Sequence, residues 1–249
     1  MKFGWIFMSL SSLVIENRWI LEIFYALIIS SICFAIVLKT DKFFKLSLHQ
    51  GIRYFRNAFF FYGIAFILRY LFGVFSDFDF SYTNIAQISF EYFLIMSGFF
   101  LLYSLTWKKF ENSKVYYSTS LFNSRILIFH AMALLLAVLD GLWGVYYFMF
   151  LSQIIIFISM SLISYNNYKQ NGKKRKFLKF SFIAMILGLS AWILNLVAEL
   201  YFNWASHKAL FAIGVINVVF FFLFLYGVIK ITKNDSKETW TTWSYKRYT

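Results

Sequence analysis

No proline occurs at any of the 249 positions. Membrane-crossing helices carry proline more often than soluble ones, so spanning helices here are expected to run straight, without proline kinks. Cysteine is nearly absent as well. Cys33 stands alone, which excludes an internal disulfide and any metal site built from several thiolates. Charge is scarce: 14% of residues carry one, against about 25% in soluble domains. The three histidines, His49, His130 and His207, lie far apart. There is no His-Glu-x-x-His, no pair of histidines on one helix and no carboxylate–histidine spacing of di-metal bundles. A nucleophile elbow and the glycine patterns of nucleotide-binding loops are missing too. The expectation is a protein that is not an enzyme and holds no metal.

What is present is apolar surface. Apolar residues make up 61% of the chain and aromatic residues 24%, more than a soluble core absorbs, so a lipid-embedded protein is expected. Seven stretches approach the roughly 20 residues that a bilayer requires. They are Trp19–Leu38, Asn57–Phe75, Ile85–Leu105, Ile126–Leu142, Val145–Ser164, Phe180–Tyr201 and Ala209–Ile231. The predicted fold is all-α, a polytopic seven-transmembrane-helix bundle over 19–232. Residues 1–18 precede it as an outer-face segment, and 233–249 follow as a basic cytoplasmic tail. The fourth and fifth spans meet at Gly141-Leu-Trp-Gly144. Were that corner helical throughout, the count would fall to six.

Charge sets the orientation. Of the 24 basic residues, all except Lys2, Arg18, Arg69 and Lys208 fall after the first, third, fifth or seventh span. An excess of Lys and Arg marks the cytoplasmic side. The N-terminus is therefore expected outside and the C-terminus in the cytoplasm of a multi-pass cell membrane protein, most simply a prokaryotic plasma membrane. The net charge of +13 reads as this topology signal and not as nucleic-acid binding. The densest basic run, with Lys173, Lys174, Arg175 and Lys176, would lie against anionic lipid headgroups, at about 1 kcal/mol per basic residue. A docking surface for an acidic protein partner is the alternative.

Helical rise gives depth at about 1.5 Å per residue. Arg69 lies six residues before the outer end of its span, and Glu91 six after the outer start of the next. Equal depth on adjacent helices predicts a salt bridge between them, because an intramembrane charge needs a partner. Gln87 shares a face with Glu91, and Asn195 with Glu199, by four-residue spacing. Asp140, Gln153 and Asn217 also fall toward the outside. The eight candidates for ligand binding are thus Arg69, Gln87, Glu91, Asp140, Gln153, Asn195, Glu199 and Asn217. They form one outer-half layer, above inner halves of almost purely apolar sequence. A polar pocket open to the outside would produce this asymmetry. Polar groups that merely hold helices together, at about 0.6–2 kcal/mol each, would produce it as well.

Lys42-Phe-Phe-Lys-Leu-Ser-Leu48 is similar to Lys176-Phe-Leu-Lys-Phe-Ser-Phe182. A duplicated 3+1+3 arrangement, as in small transporters with parallel repeats, would account for the pair.

Seven spans with the N-terminus out resemble microbial rhodopsins and receptor-type bundles in topology. Retinal proteins use a lysine in the middle of the seventh helix, and Ala209–Ile229 contains none, so no retinal or other cofactor is expected. Sugar-transporter-like and PQ-loop proteins rely on prolines that this chain lacks. Gly51-Ile-Arg-Tyr-Phe-Arg-Asn-Ala-Phe59, Phe66-Ile-Leu-Arg-Tyr70 and Leu101-Leu-Tyr-Ser-Leu-Thr-Trp-Lys108 resemble a family of uncharacterised seven-helix membrane proteins from archaea. That resemblance implies a prokaryotic membrane and no activity. Three roles are open at this point. The first is a receptor-like or sensory bundle with an outer ligand pocket and a basic signalling face. The second is a small-solute or ion transporter, and the third a structural subunit of a membrane complex.

Overall fold

A computed structural model describes residues 18–47, 50–75, 80–110, 124–171, 176–202 and 212–230. Seven helices occupy them: α1 Arg18–Ser47, α2 Gln50–Phe75, α3 Phe80–Phe110, α4 Ser124–Trp143, α5 Tyr147–Asn171, α6 Lys176–Phe202 and α7 Ala212–Lys230. The fold is all-α. Six of these helices, all but α2, are long and apolar enough to cross a membrane as judged on the described residues. The side chains of α2 are described only as far as Arg69, and that stretch includes Arg53 and Arg56. With no proline to break them, α1 and α3 run for 30 and 31 residues, beyond what the hydrocarbon layer needs. The segment before Arg18 that is expected on the outer face, the basic tail expected in the cytoplasm, and Lys173, Lys174 and Arg175 lie outside the described residues.

α3 is the central element. It packs against α2, α4 and α5, while α1 packs on α2, and α6 on α5. α7 closes the bundle through rings: Phe221 and Phe224 meet Phe59 of α2, Phe220 meets Phe157 of α5, and Tyr226 meets Phe180 of α6. Leu27, Leu135, Ile155 and Phe222 stand exposed on the outer surface, as lipid-facing positions should. Lipid tails are as apolar as these side chains, so helix association rests on close packing. α1 and α2 show this. A Cβ on Gly63 would meet Cys33 at 3.3 Å, and the Ser30 hydroxyl donates to the Gly63 carbonyl at 3.4 Å.

The Gly141–Gly144 corner separates two helices. α4 ends at Trp143, and Gly144 takes φ +64°, the left-handed conformation that favours glycine. The Val145 amide then reaches back to the Asp140 carbonyl at 3.1 Å, the six-to-one bond of a Schellman cap. Nothing lies within 4 Å of a Cβ placed on Gly144, so alanine there meets only backbone strain. Gly144→Ala should cost about 1 kcal/mol, read from thermal unfolding in detergent; no change would mean that the corner can relax.

At the opposite end, Asp41 pairs with Lys45 at 3.0 Å and with Arg56, tying α1 to the start of α2. Arg53 and Arg56 lie over the Phe44 ring, each 5.9 Å from its centre. Lys42–Ser47 forms the last turns of α1, whereas Lys176–Phe182 forms the first turns of α6. The two similar segments occupy non-equivalent helix ends, which removes their main support for a duplicated 3+1+3 design.

Candidate functional site

The junction of α3 with the α4–α5 corner gathers four of the predicted residues. Asp140 is fully buried. Its Oδ1 accepts from the Phe148 amide at 3.0 Å and its Oδ2 from the Met149 amide at 2.7 Å. These are the second and third residues of α5, whose amides have no partner within the helix. A side chain at the preceding position normally serves them, but that position is Tyr146. The last turn of α4 supplies the missing cap, and its negative charge sits at the positive end of the α5 dipole.

Gln87 connects α3 to the same corner. Its Nε2 donates to the Val145 carbonyl at 2.9 Å and to Glu91 Oε1 at 2.8 Å. Glu91 is fully buried, and its Oε2 has no hydrogen-bond donor among the described residues. The Glu91 and Asp140 carboxyl groups lie within hydrogen-bonding reach of each other. Further along α3, the buried Gln153 of α5 donates from Nε2 to the Leu94 carbonyl at 3.2 Å. Gly98 makes room for it, since a Cβ there would meet Gln153 Oε1 at 2.8 Å.

The expected Arg69–Glu91 pair is not formed. Equal depth does bring α2 and α3 together here, but the Arg69 guanidinium lies over the Phe90 ring, 5.0 Å from its centre. Glu91 turns toward Gln87 and Asp140 instead. The two helix faces differ by one residue, a distinction that depth alone does not contain.

Tyr146 is half-buried at the corner, its ring against that of Phe150 with centres 6.2 Å apart. Asn195 donates to the Ala191 carbonyl of its own helix at 2.9 Å. Glu199 has one buried oxygen, Oε2, without a hydrogen-bond donor among the described residues. Asn217 is half-buried on α7, and no hydrogen bond described for the chain joins it to the others. Arg69 is exposed, whereas Glu91, Asp140 and Gln153 are sealed.

Sequence reading missed several polar groups. The Tyr62 hydroxyl of α2 lies beside Ser97 of α3, and both residues are buried. Ser97 donates to the same Leu94 carbonyl that takes Gln153. Tyr92 and His130 share a hydrogen bond of 2.7 Å between α3 and α4. Ser161 and Ser164 hold buried hydroxyls in the C-terminal half of α5. The helix halves away from the corner are thus less dry than their hydropathy suggests, because tyrosine and serine hydroxyls hardly register in an apolar run. Among the described residues, no three His, Cys, Asp or Glu side chains converge as a metal site.

No family model matches the chain, and no solved structure matches it. The likeness to rhodopsins and receptors is therefore one of helix number and not of demonstrated fold. The chain is 25% identical over 226 residues to an uncharacterized protein of Archaeoglobus fulgidus, covering 84% of this chain and 91% of that protein.

Proposed function

We propose that the chain is a receptor-like, sensory membrane bundle that crosses the membrane seven times, with its N-terminus outside and its C-terminus in the cytoplasm. A small ligand enters from the corner end and meets Arg69, Asn195, Glu199 and Asn217. Gln87, Glu91, Asp140 and Gln153 hold the helices behind it, and a signal leaves through the basic opposite face to a separate effector. Arg69, exposed over the Phe90 ring, and Glu199, whose buried Oε2 has no donor among the described residues, carry this reading. Charges are costly at membrane depth and mark functional sites there. Anionic lipid headgroups hold the basic face.

Cys33 is fully buried, and a Cys33→Ala background removes it. Single cysteines replacing Asn195, Asn217 or Glu91 are then exposed to a membrane-impermeant thiol reagent on intact cells. Asn195→Cys and Asn217→Cys should react, and Glu91→Cys should stay protected. A folded protein that reacts at none of them has no open site. That outcome would favour the structural-subunit reading, which draws support from Asp140 and Gln87 being spent on helix joints. Solute flux in liposomes reconstituted with purified protein would replace the sensor by a transporter.

A further inference from the structure

We propose that Glu91 and Asp140 share a single proton, which makes this buried pair a proton-binding site at the joint of α3 and the α4–α5 corner. The inference holds whatever the rest of the layer binds. Both residues are fully buried, and their carboxyl groups lie within hydrogen-bonding reach of each other. An ionised carboxylate only accepts hydrogen bonds. Two ionised groups in this contact would be bare acceptors facing each other with water excluded, so one of them must donate.

The surroundings say which. Asp140 already accepts two backbone amides at the N-terminus of α5, where hydrogen bonds and dipole both favour the negative charge. Glu91 has one donor, the Gln87 amide on Oε1, while Oε2 is without one. The proton therefore sits on Glu91 Oε2 and is donated to Asp140. The groups around the pair are compatible with this. From α3 comes the neutral Gln87, and from the corner Tyr146. From α2 comes Arg69, which rests on Phe90 instead of the carboxyl group. From α6 comes Glu199, an acidic side chain that offers no positive charge to a second anion.

The site is also a joint. With the proton in place, Glu91 and Asp140 bind as donor and acceptor, and Gln87 holds the Val145 carbonyl beside them. Without it, two like charges meet at the cap of α5 and push the corner away from α3. Protonation thereby sets how the corner seats.

Infrared spectra of the full-length protein in lipid vesicles at neutral pH test this. A carbonyl stretch of a protonated carboxyl group is expected. It should shift in deuterated water and vanish in Glu91→Gln. The glutamine amide can still donate to Asp140, so Glu91→Gln should unfold within a few degrees of the wild type, whereas Glu91→Ala should unfold lower. Should Glu91→Gln not fold, carboxyl-carbon NMR of glutamate-labelled wild-type protein decides without substitution, and one protonated glutamate is expected. Either of two results would overturn the proposal. One is the absence of any protonated glutamate signal. The other is a gain in stability with sodium over choline chloride that Glu91→Gln abolishes, which would mean two ionised carboxylates around a metal cation.

Discussion

Asp140→Ala should destabilise the bundle by about 3 kcal/mol. Its two oxygens satisfy the amides of Phe148 and Met149, and hydrogen bonds to a charged group contribute about 1.5–3 kcal/mol each. Part of that is recovered if the first turn of α5 frays. Full recovery is not available, because Asp140 and Met149 are buried and water cannot take over the orphaned amides. The loss also strips Glu91 of its neighbour. Asp140→Asn keeps one acceptor oxygen and should fall roughly halfway between. Equilibrium unfolding in mixed micelles gives both numbers. An Asp140→Ala protein as stable as wild type would mean that the corner caps α5 by another route, and the Asp140 carboxylate would then be free for a ligand.

Gly188→Ala should destabilise as well, and Gly214→Ala should not. Both glycines sit in helices, where alanine is better by about 1 kcal/mol in propensity alone. At Gly188 an added Cβ would lie 2.3 Å from a ring carbon of Phe157 and 2.9 Å from one of Phe220. Phe157 and Phe220 are buried and pack on each other, their centres 5.8 Å apart. Neither ring can yield without disturbing the α5–α7 contact. Overpacking of this kind costs about 1–3 kcal/mol, and a contact this short belongs at the upper end, so the clash exceeds the propensity gain. At Gly214 the nearest atom is in the Tyr25 ring at 3.8 Å, an ordinary contact, and alanine should raise stability by up to about 1 kcal/mol. The pair reports on packing alone. Burial in lipid adds nothing to either side, since the unfolded helices face lipid tails too. Opposite signs in thermal unfolding are expected. Equal gains would place α6 farther from α5 and α7 than described.

How much of this was legible without coordinates varies from residue to residue. The Gly-Leu-Trp-Gly corner was readable as a break, because Gly144 is the residue that a left-handed cap needs. That Asp140 caps the following helix was not readable, because the usual capping position holds Tyr146, whose side chain cannot do it. Gln87 and Glu91 were placed together correctly by four-residue spacing. Their common partner, the corner at Val145, lies 58 positions away from Gln87 and leaves no trace in local pattern. Arg69 was read at the right depth and given the wrong neighbour, because rise along a helix fixes height and not azimuth.

Composition and apolar run length alone determined that this is an all-α chain with membrane-like helices, and roughly where those helices run. Those properties are local: a run of apolar side chains must be helical in lipid to satisfy its own backbone. Only tertiary packing decided which polar groups are sealed and which are reachable, that Glu91 faces Asp140 instead of Arg69, and that α3 is the helix the others assemble on. Each depends on the rotation of one helix against another. That rotation is set by close contacts such as Gly98 with Gln153 and Gly188 with Phe157, and these exist only once the helices have come together.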